Sequence, residues 1–136
     1  MKQNKQNKQK GFTLIEILVV LVILGLLAGV AAPKIFGQAE KAKVKSAHAT
    51  INRLSIGIDT YYLDMGNLPE NLNQLIESSG EDWGGPYVKK SALQDPWKQP
   101  YHFRAPGEHG DYDIYSYGPD KAQGGEGKNK DITSWE

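Results

Sequence analysis

Cysteine is absent from this 136-residue chain. That excludes disulfide staples, thiolate zinc sites and a cysteine nucleophile. Net charge is absent too, since 16 basic residues balance 16 acidic ones. The balance hides a polarity along the sequence. The first ten residues carry Lys2, Lys5, Lys8 and Lys10 and no acid, and without them the net charge is −4. From Leu54 onward, 7 basic residues stand against 14 acidic ones. An acidic remainder of this kind argues against a nucleic-acid partner. The 83 residues after position 53 are close to the ~70–80 below which a domain tends to need a staple. With disulfides excluded, a metal ion is the candidate.

What the chain does have is one long apolar run. Phe12 to Ala32 is 21 residues, about 31 Å as a helix at ~1.5 Å per residue, which matches a bilayer's ~30 Å hydrocarbon core. A secretory signal has a shorter apolar region of ~7–15 residues, so Val30-Ala31-Ala32, followed at once by Pro33, is not read as a cleavage site. Lysines leave the direction of crossing open, because four precede the run and Lys34, Lys41, Lys43 and Lys45 follow it. Glu16 is the one charge inside the run. Near a bilayer centre a carboxylate costs ~2.5–3.5 kcal/mol on insertion scales, so it needs a partner or a purpose. Gly25-x-x-x-Gly29 has the spacing that lets membrane helices approach closely, and Pro33 is expected to kink or loosen the helix.

Beyond Pro33, Ala39, Ala42, Ala47, Ile51, Leu54, Ile58 and Tyr61 continue at helical spacing. The pattern predicts one helix from about Phe12 to Leu63, half membrane and half amphipathic stalk, with Gly66 suited to its C-cap. A short second helix is expected over Asn71 to Ser78, capped by Asn67 with Glu70 or by Asn71 with Gln74. A loop-rich stretch runs from Ser79 to Pro100. Two β-like runs, Tyr101–Arg104 and Tyr112–Tyr117, flank a turn at Ala105–Gly110 and predict an antiparallel hairpin. The hairpin is expected to bury Phe103 and Ile114 against Ile51, Leu54 and Ile58. His48 is read as structural, and His102 and His109 are assigned no chemistry.

Gly118 to Glu136 holds four glycines with Asp120, Glu126, Asp131 and Glu136, and Asn129, Thr133 and Ser134 add neutral oxygens. Ile132 and Trp135 are apolar anchors that bring this loop back to the body. An oxygen-only loop with convergent carbonyls suits a hard cation with ~6–8 ligands. The EF-hand spacing is missing, and Gly124-Gly125-Glu126-Gly127 is no phosphate cradle.

Lys10-Gly11-Phe12-Thr13-Leu14-Ile15-Glu16, between a basic leader and an apolar helix, resembles a type IV prepilin processing site. The resemblance implies that a prepilin peptidase cuts after Gly11 on the cytoplasmic side and N-methylates Phe12. It would leave the later residues in the periplasm. The new amine at Phe12 and the Glu16 carboxylate lie four residues apart on one helix face, so Glu16 of one subunit can neutralise a neighbour's amino terminus. Further motifs narrow the likeness: Tyr62-Leu63-Asp64, Asp95-Pro96-Trp97, Pro100-Tyr101, Ala105-Pro106-Gly107, Tyr115-Ser116-Tyr117-Gly118-Pro119-Asp120, Gly124–Gly127 and Asp131-Ile132-Thr133-Ser134-Trp135. Together they resemble the major pseudopilins of the bacterial type II secretion system, with similarity from Gly11 to Trp135. That family implies one calcium ion in the C-terminal loop, carried over to Asp120 and Asp131 with contributions from Tyr117, Asn129 and Ser134. Two departures stand out: Lys98 where the family usually has Gly, and Asn71–Gln74 in place of a polar-Gly-Leu pattern.

The expected protein is an α+β, type IV pilin-like subunit, not an enzyme. Residues 1–11 form the leader, 12–32 the transmembrane and assembly helix, 33–63 the stalk, and 64–136 the periplasmic domain with its loop at 118–136. By the resemblance it polymerises into a helical periplasmic fibre that exports folded proteins. Its implied partners are the prepilin peptidase, an assembly ATPase, the inner-membrane platform, minor pseudopilins and the outer-membrane secretin. A type IV pilus or DNA-uptake pilin is the competing reading, against which the missing cysteines count. A monomeric membrane-anchored calcium module would give no role to Gly11 or Glu16.

Overall fold

A computed structural model describes residues 10–77 and 80–136. Lys2, Lys5, Lys8, the expected end of the second helix at Ser78 and the start of the next loop at Ser79 lie outside the described residues. The main element is α1, Leu14–Met65, a 52-residue helix that includes Pro33. A proline deletes one N–H···O bond and leaves those on either side intact, so the expected loosening does not end the helix. Gly66 closes α1 as expected, with φ +76° and its amide on the Tyr62 carbonyl at 2.8 Å.

Contacts divide the chain into two units, Met1–Ala39 and Glu40–Glu136. In the described part of the first, the large apolar side chains from Phe12 to Phe36 are all exposed. This stretch is long and apolar enough to cross a membrane. A continuous apolar surface of that size signals a membrane or protein partner.

In the second unit, α1 buries Ala47, Ile51, Leu54, Gly57, Ile58 and Tyr61. The stripe is the one its spacing implied, except that Ala39 and Ala42 stay exposed and the core begins at Val44 and Ala47. Gly57 is needed for close approach, since a Cβ there would meet Val88 Cγ1 at 2.7 Å. A three-stranded antiparallel sheet in the order β1-β2-β3 completes the core. Its strands are β1 (His102–Arg104), β2 (Asp113–Ser116) and β3 (Ile132–Thr133). Phe103 pairs with Ile114; Ile114 is fully buried in one cluster with Ile51, Leu54 and Ile58, and half-buried Phe103 packs against that cluster. Tyr101 and Tyr112 reach α1 through their hydroxyls, on Ala47 O and on Ser55 O with Asp59 Oδ1. Burial pushes both phenols up to about 12, so both remain neutral donors.

The second helix is shorter than expected, a single 3-10 turn at Leu72–Leu75. Two tertiary donors explain this. Trp83 Nε1 takes the Gln74 carbonyl at 2.7 Å, and the Tyr87 amide takes that of Leu75 at 2.8 Å, so neither carbonyl is left to extend an α-helix. Neither expected cap forms as drawn: Asn71 makes no side-chain cap bond, and Gln74 Oε1 accepts from the Glu70 amide at 2.9 Å.

The Asp95–Gln99 turn ties loop, sheet and helix together. Buried Asp95 accepts from the amides of Trp97 (3.0 Å) and Gln99 (2.8 Å) and from Ser116 Oγ (2.6 Å). Trp97 Nε1 donates to Glu40 on α1 at 3.1 Å, and this bond and Lys43 hold the Glu40 carboxyl below its ordinary range. Lys98 sits in the left-handed region at φ 69°, so the turn keeps the backbone for which glycine is suited. An L-residue there costs about 1–2 kcal/mol, while glycine's extra backbone entropy costs roughly 0.5–1 kcal/mol. Lys98→Gly is therefore expected to stabilise the protein by about 0.5–1 kcal/mol. Thermal unfolding checks this, and a lowered midpoint would contradict it.

Candidate functional site

Two regions carry the candidate residues, one in each unit. At the start of α1, Gly11 and Phe12 are exposed, Phe12 at 87%. Thr13 and Glu16 bond reciprocally: the Thr13 amide donates to Glu16 Oε2 at 3.1 Å, and the Glu16 amide to Thr13 Oγ1 at 3.2 Å. This is a capping box, which satisfies two of the amides left over at a helix start. Thr13 was not singled out from sequence, although the Thr-x-x-Glu spacing was there to read. The box gives the lone carboxylate of the apolar run a partner within its own chain. A carboxylate has about four acceptor sites, so capacity remains for a second donor such as an amine.

The C-terminal loop winds through positive φ at Gly118 (76°), Lys121 (56°), Gly124 (83°), Gly125 (103°) and Gly127 (60°). Asp120 Oδ1 accepts from the Ala122 amide at 3.2 Å, and Asp131 Oδ2 from the Gly124 amide at 2.9 Å. The two carboxylates thus grip one turn, Ala122–Gly124, from both ends. Gly125 has no room for a Cβ against the Asn129 backbone, which lies in a short 3-10 helix at Gly127–Asn129. Asp131 Oδ1 is buried without a hydrogen-bond partner. An unsatisfied buried polar atom costs about 1–3 kcal/mol, and more when charged, so a cation at this oxygen is chemically suited to the loop. Among the described residues no three His, Cys, Asp or Glu side chains cluster as a metal shell. Most ligands would therefore be carbonyl or neutral oxygens, as a hard cation accepts.

Other carried-over residues have additional roles. The half-buried Tyr117 ring packs on His102 at 4.3 Å, so its phenol belongs to the sheet face. Ser134 Oγ accepts from the Ile114 amide at 3.0 Å, and the Ser134 amide donates to the Ile114 carbonyl at 2.9 Å. Ser134 therefore extends β3 pairing by one residue. Ile132 is buried as expected of an anchor; Trp135 stays 36% exposed and lies flat on His109, with centroids 3.9 Å apart and planes at 2°.

His109 belongs to a turn built on Asp113. This carboxylate is 1% exposed and accepts from the Glu108 amide (2.8 Å), Arg104 Nη2 (3.0 Å), the His109 amide (3.3 Å) and, at 3.2 Å, faces His109 Nδ1. Burial pushes the Asp113 carboxyl up, but the Glu108 amide, Arg104 and His109 outweigh it and hold it below the usual carboxylate range. No sequence signal marked this cluster, because it joins positions 104, 108, 109 and 113 through a turn whose path was unknown.

A membrane-length exposed helix, an amphipathic continuation packed on a small antiparallel sheet, and a capping carboxylate in the first turn of the helix define a pilin-like subunit. The chain belongs to the type II secretion system protein G family, whose model matches residues 34–135. A prokaryotic N-terminal methylation motif matches residues 6–32. Among its relatives is the type II secretion system core protein G of Pseudomonas aeruginosa, 37% identical over 135 residues, covering 93% of this chain and 94% of that one. The core protein G of Escherichia coli K12 is 41% identical over 135 residues, covering 92% and 90%. The crystal structure of the major pseudopilin from the type 2 secretion system of enterohaemorrhagic Escherichia coli superposes with a TM-score of 0.61 at 28% identity, covering 73% of this chain and 87% of that one. The chain is thus a pseudopilin.

The Asp113 cluster yields a stability prediction. A carboxyl held low in the fold stabilises above its unfolded pKa of ~4, and that contribution is lost as pH falls through the folded value. Asp113→Asn is expected to cost about 2 kcal/mol at pH 7, the range of hydrogen bonds to a charged group. In unfolding curves the gap to the parent should narrow below pH ~4.

Proposed function

We propose that this pseudopilin is a non-enzymatic structural subunit of the type II secretion pseudopilus, processed after Gly11 and joined to its neighbours through Phe12 and Glu16. The observation that carries the reading is Glu16: one carboxylate in the first turn of an otherwise apolar and wholly exposed helix start. Before assembly the Thr13 amide occupies part of it. After processing, the amine of a neighbouring Phe12 supplies the opposite charge and sets the register between subunits. The leader stays on the cytoplasmic side and residues 40–136 face the periplasm. Prepilin peptidase, the inner-membrane platform with its ATPase, minor pseudopilins and the secretin are the partners this role requires.

In the C-terminal loop, Asp120 and Asp131 would hold calcium, with carbonyl oxygens of the Tyr117–Asn129 stretch and the Asn129 side chain completing the set. The ion supplies positive charge for the unpaired Asp131 oxygen. The residues' own part is to bind it and to close the Ala122–Gly124 turn between two carboxylates. Ser134 holds the following strand end to Ile114.

Glu16→Ala is expected to be processed normally, with Phe12 as the amino terminus by mass spectrometry, yet to form no filaments by electron microscopy. Normal filaments would refute the assembly role. For the loop, thermal unfolding of the full chain in detergent should rise by roughly 10 °C with calcium at a hundredfold excess over its dissociation constant. Chelator should remove the rise, and Asp131→Ala should abolish it.

A further inference from the structure

Charge in residues 40–136 is divided between two ends. From Leu54 to Val88 the chain holds Asp59, Asp64, Glu70, Glu77, Glu81 and Asp82 and no lysine or arginine. These acids lie on the last turns of α1 and on the segment folded over its end, where Tyr61 donates to Gln74 at 3.2 Å and Gly80 approaches Met65. The end nearest Glu40 is basic, and three separate elements build it. Lys41 and Lys45 stand one turn apart on α1, and both are exposed. Trp97 donates to Glu40 at 3.1 Å, which brings the 95–99 turn, with exposed Lys98, to the same end. The C-terminal loop adds Lys128: after the Trp97 bond and Lys43, its charge helps to hold the Glu40 carboxyl below the ordinary range. The loop's own Asp120, Glu126 and Asp131 are matched in number by Lys121, Lys128 and Lys130. Glu40 itself is taken by Lys43 and Trp97. Among the described residues Lys41, Lys45, Lys98 and Lys128 form no ion pair.

We propose that this basic end docks on the anionic phospholipid headgroups of the membrane that holds the apolar half of α1. The inference rests on the membrane reading of that half. Placement favours lipid over any other polyanion. Phe36 is the last large exposed apolar side chain before Ile56, and Lys41 follows it by five residues and Lys45 by nine. Along a helix those separations are about 7.5 and 14 Å. Headgroups occupy roughly 5–7 Å beyond the hydrocarbon on each side, and charge acts about 8 Å farther at physiological salt. Both lysines thus fall within range of the headgroup phosphates. Asp64 lies about 35 Å beyond Lys41 along α1, so the same surface repels the acidic end. An anionic leaflet therefore holds the unit with its basic end on the membrane and its acidic end turned outward.

The test uses the full chain in lipid nanodiscs at one copy per disc. One set is phosphatidylcholine, the other phosphatidylcholine and phosphatidylglycerol in equal parts. A water-soluble amine-acylating reagent is applied, and modification of each lysine is read by peptide mass spectrometry. A lysine near an anionic surface is worth about fivefold in affinity. Lys41, Lys45, Lys98 and Lys128 are accordingly expected to react about fivefold more slowly in the anionic discs, and raised salt should remove the difference. Lys89 and Lys90, which line an open groove elsewhere on the unit, should react equally in both. Lys41→Gln with Lys45→Gln keeps helix propensity and should return Lys98 and Lys128 nearly to their rates in phosphatidylcholine. Equal rates in the two discs would overturn headgroup docking and leave the pseudopilin reading standing. Protection that arises in both lipids, and only when several copies share a disc, would overturn it in favour of the acidic end of a second copy. Failure of the chain to enter discs of either lipid would overturn the membrane reading as well.

Discussion

Burial of one face of α1 is the contact on which residues 40–136 depend. Ile51, Leu54 and Ile58 lie sealed against Ile114, and full burial of each such side chain contributes about 1.5–3 kcal/mol. The other elements of this unit are short: strands of three, four and two residues and single 3-10 turns. Small isolated sheets are marginal in water, so the helix that covers this one is what lets it persist.

Without cysteine, the loops are held by buried carboxylates. Asp95 and Asp113 each accept from nearby amides and from one partner farther off, Ser116 and Arg104 respectively. Both carboxylates are fully engaged on both oxygens. Asp131 differs in kind, because one of its oxygens is matched and the other is buried with nothing to accept. That contrast separates carboxylates that build the fold from one suited to hold a ligand.

The same helix meets a second constraint at its other end. An apolar surface must find a bilayer or other protein chains, and a charge within it must find a partner. The Thr13–Glu16 box meets the second requirement locally while leaving acceptor capacity on Glu16. The assembly role proposed above asks the subunit to be stable in a membrane and then to join a polymer. A carboxylate satisfied modestly by its own backbone serves both states.

Much of this was legible in the primary structure, because periodicity and turn chemistry are local. The apolar run, the 47–61 stripe, the Gly66 cap and the Phe103–Ile114 hairpin follow from residue spacing alone. The pilin-like processing motif was legible by resemblance, because its residues are adjacent in sequence. The second helix was overestimated because Trp83 and Tyr87, donors from outside the segment, took its carbonyls. Strand β3 was invisible because a two-residue run has no readable period, and it exists only where β2 offers it an edge. Residue types alone determined that this protein has a membrane-length helix with one carboxylate and an acidic, oxygen-rich loop. Only the tertiary structure decided that Asp113 is a buried hub, that Trp135 rests on His109 and that Asp131 keeps an unmatched oxygen. Those outcomes depend on which distant groups meet at hydrogen-bonding range, and no local propensity encodes that.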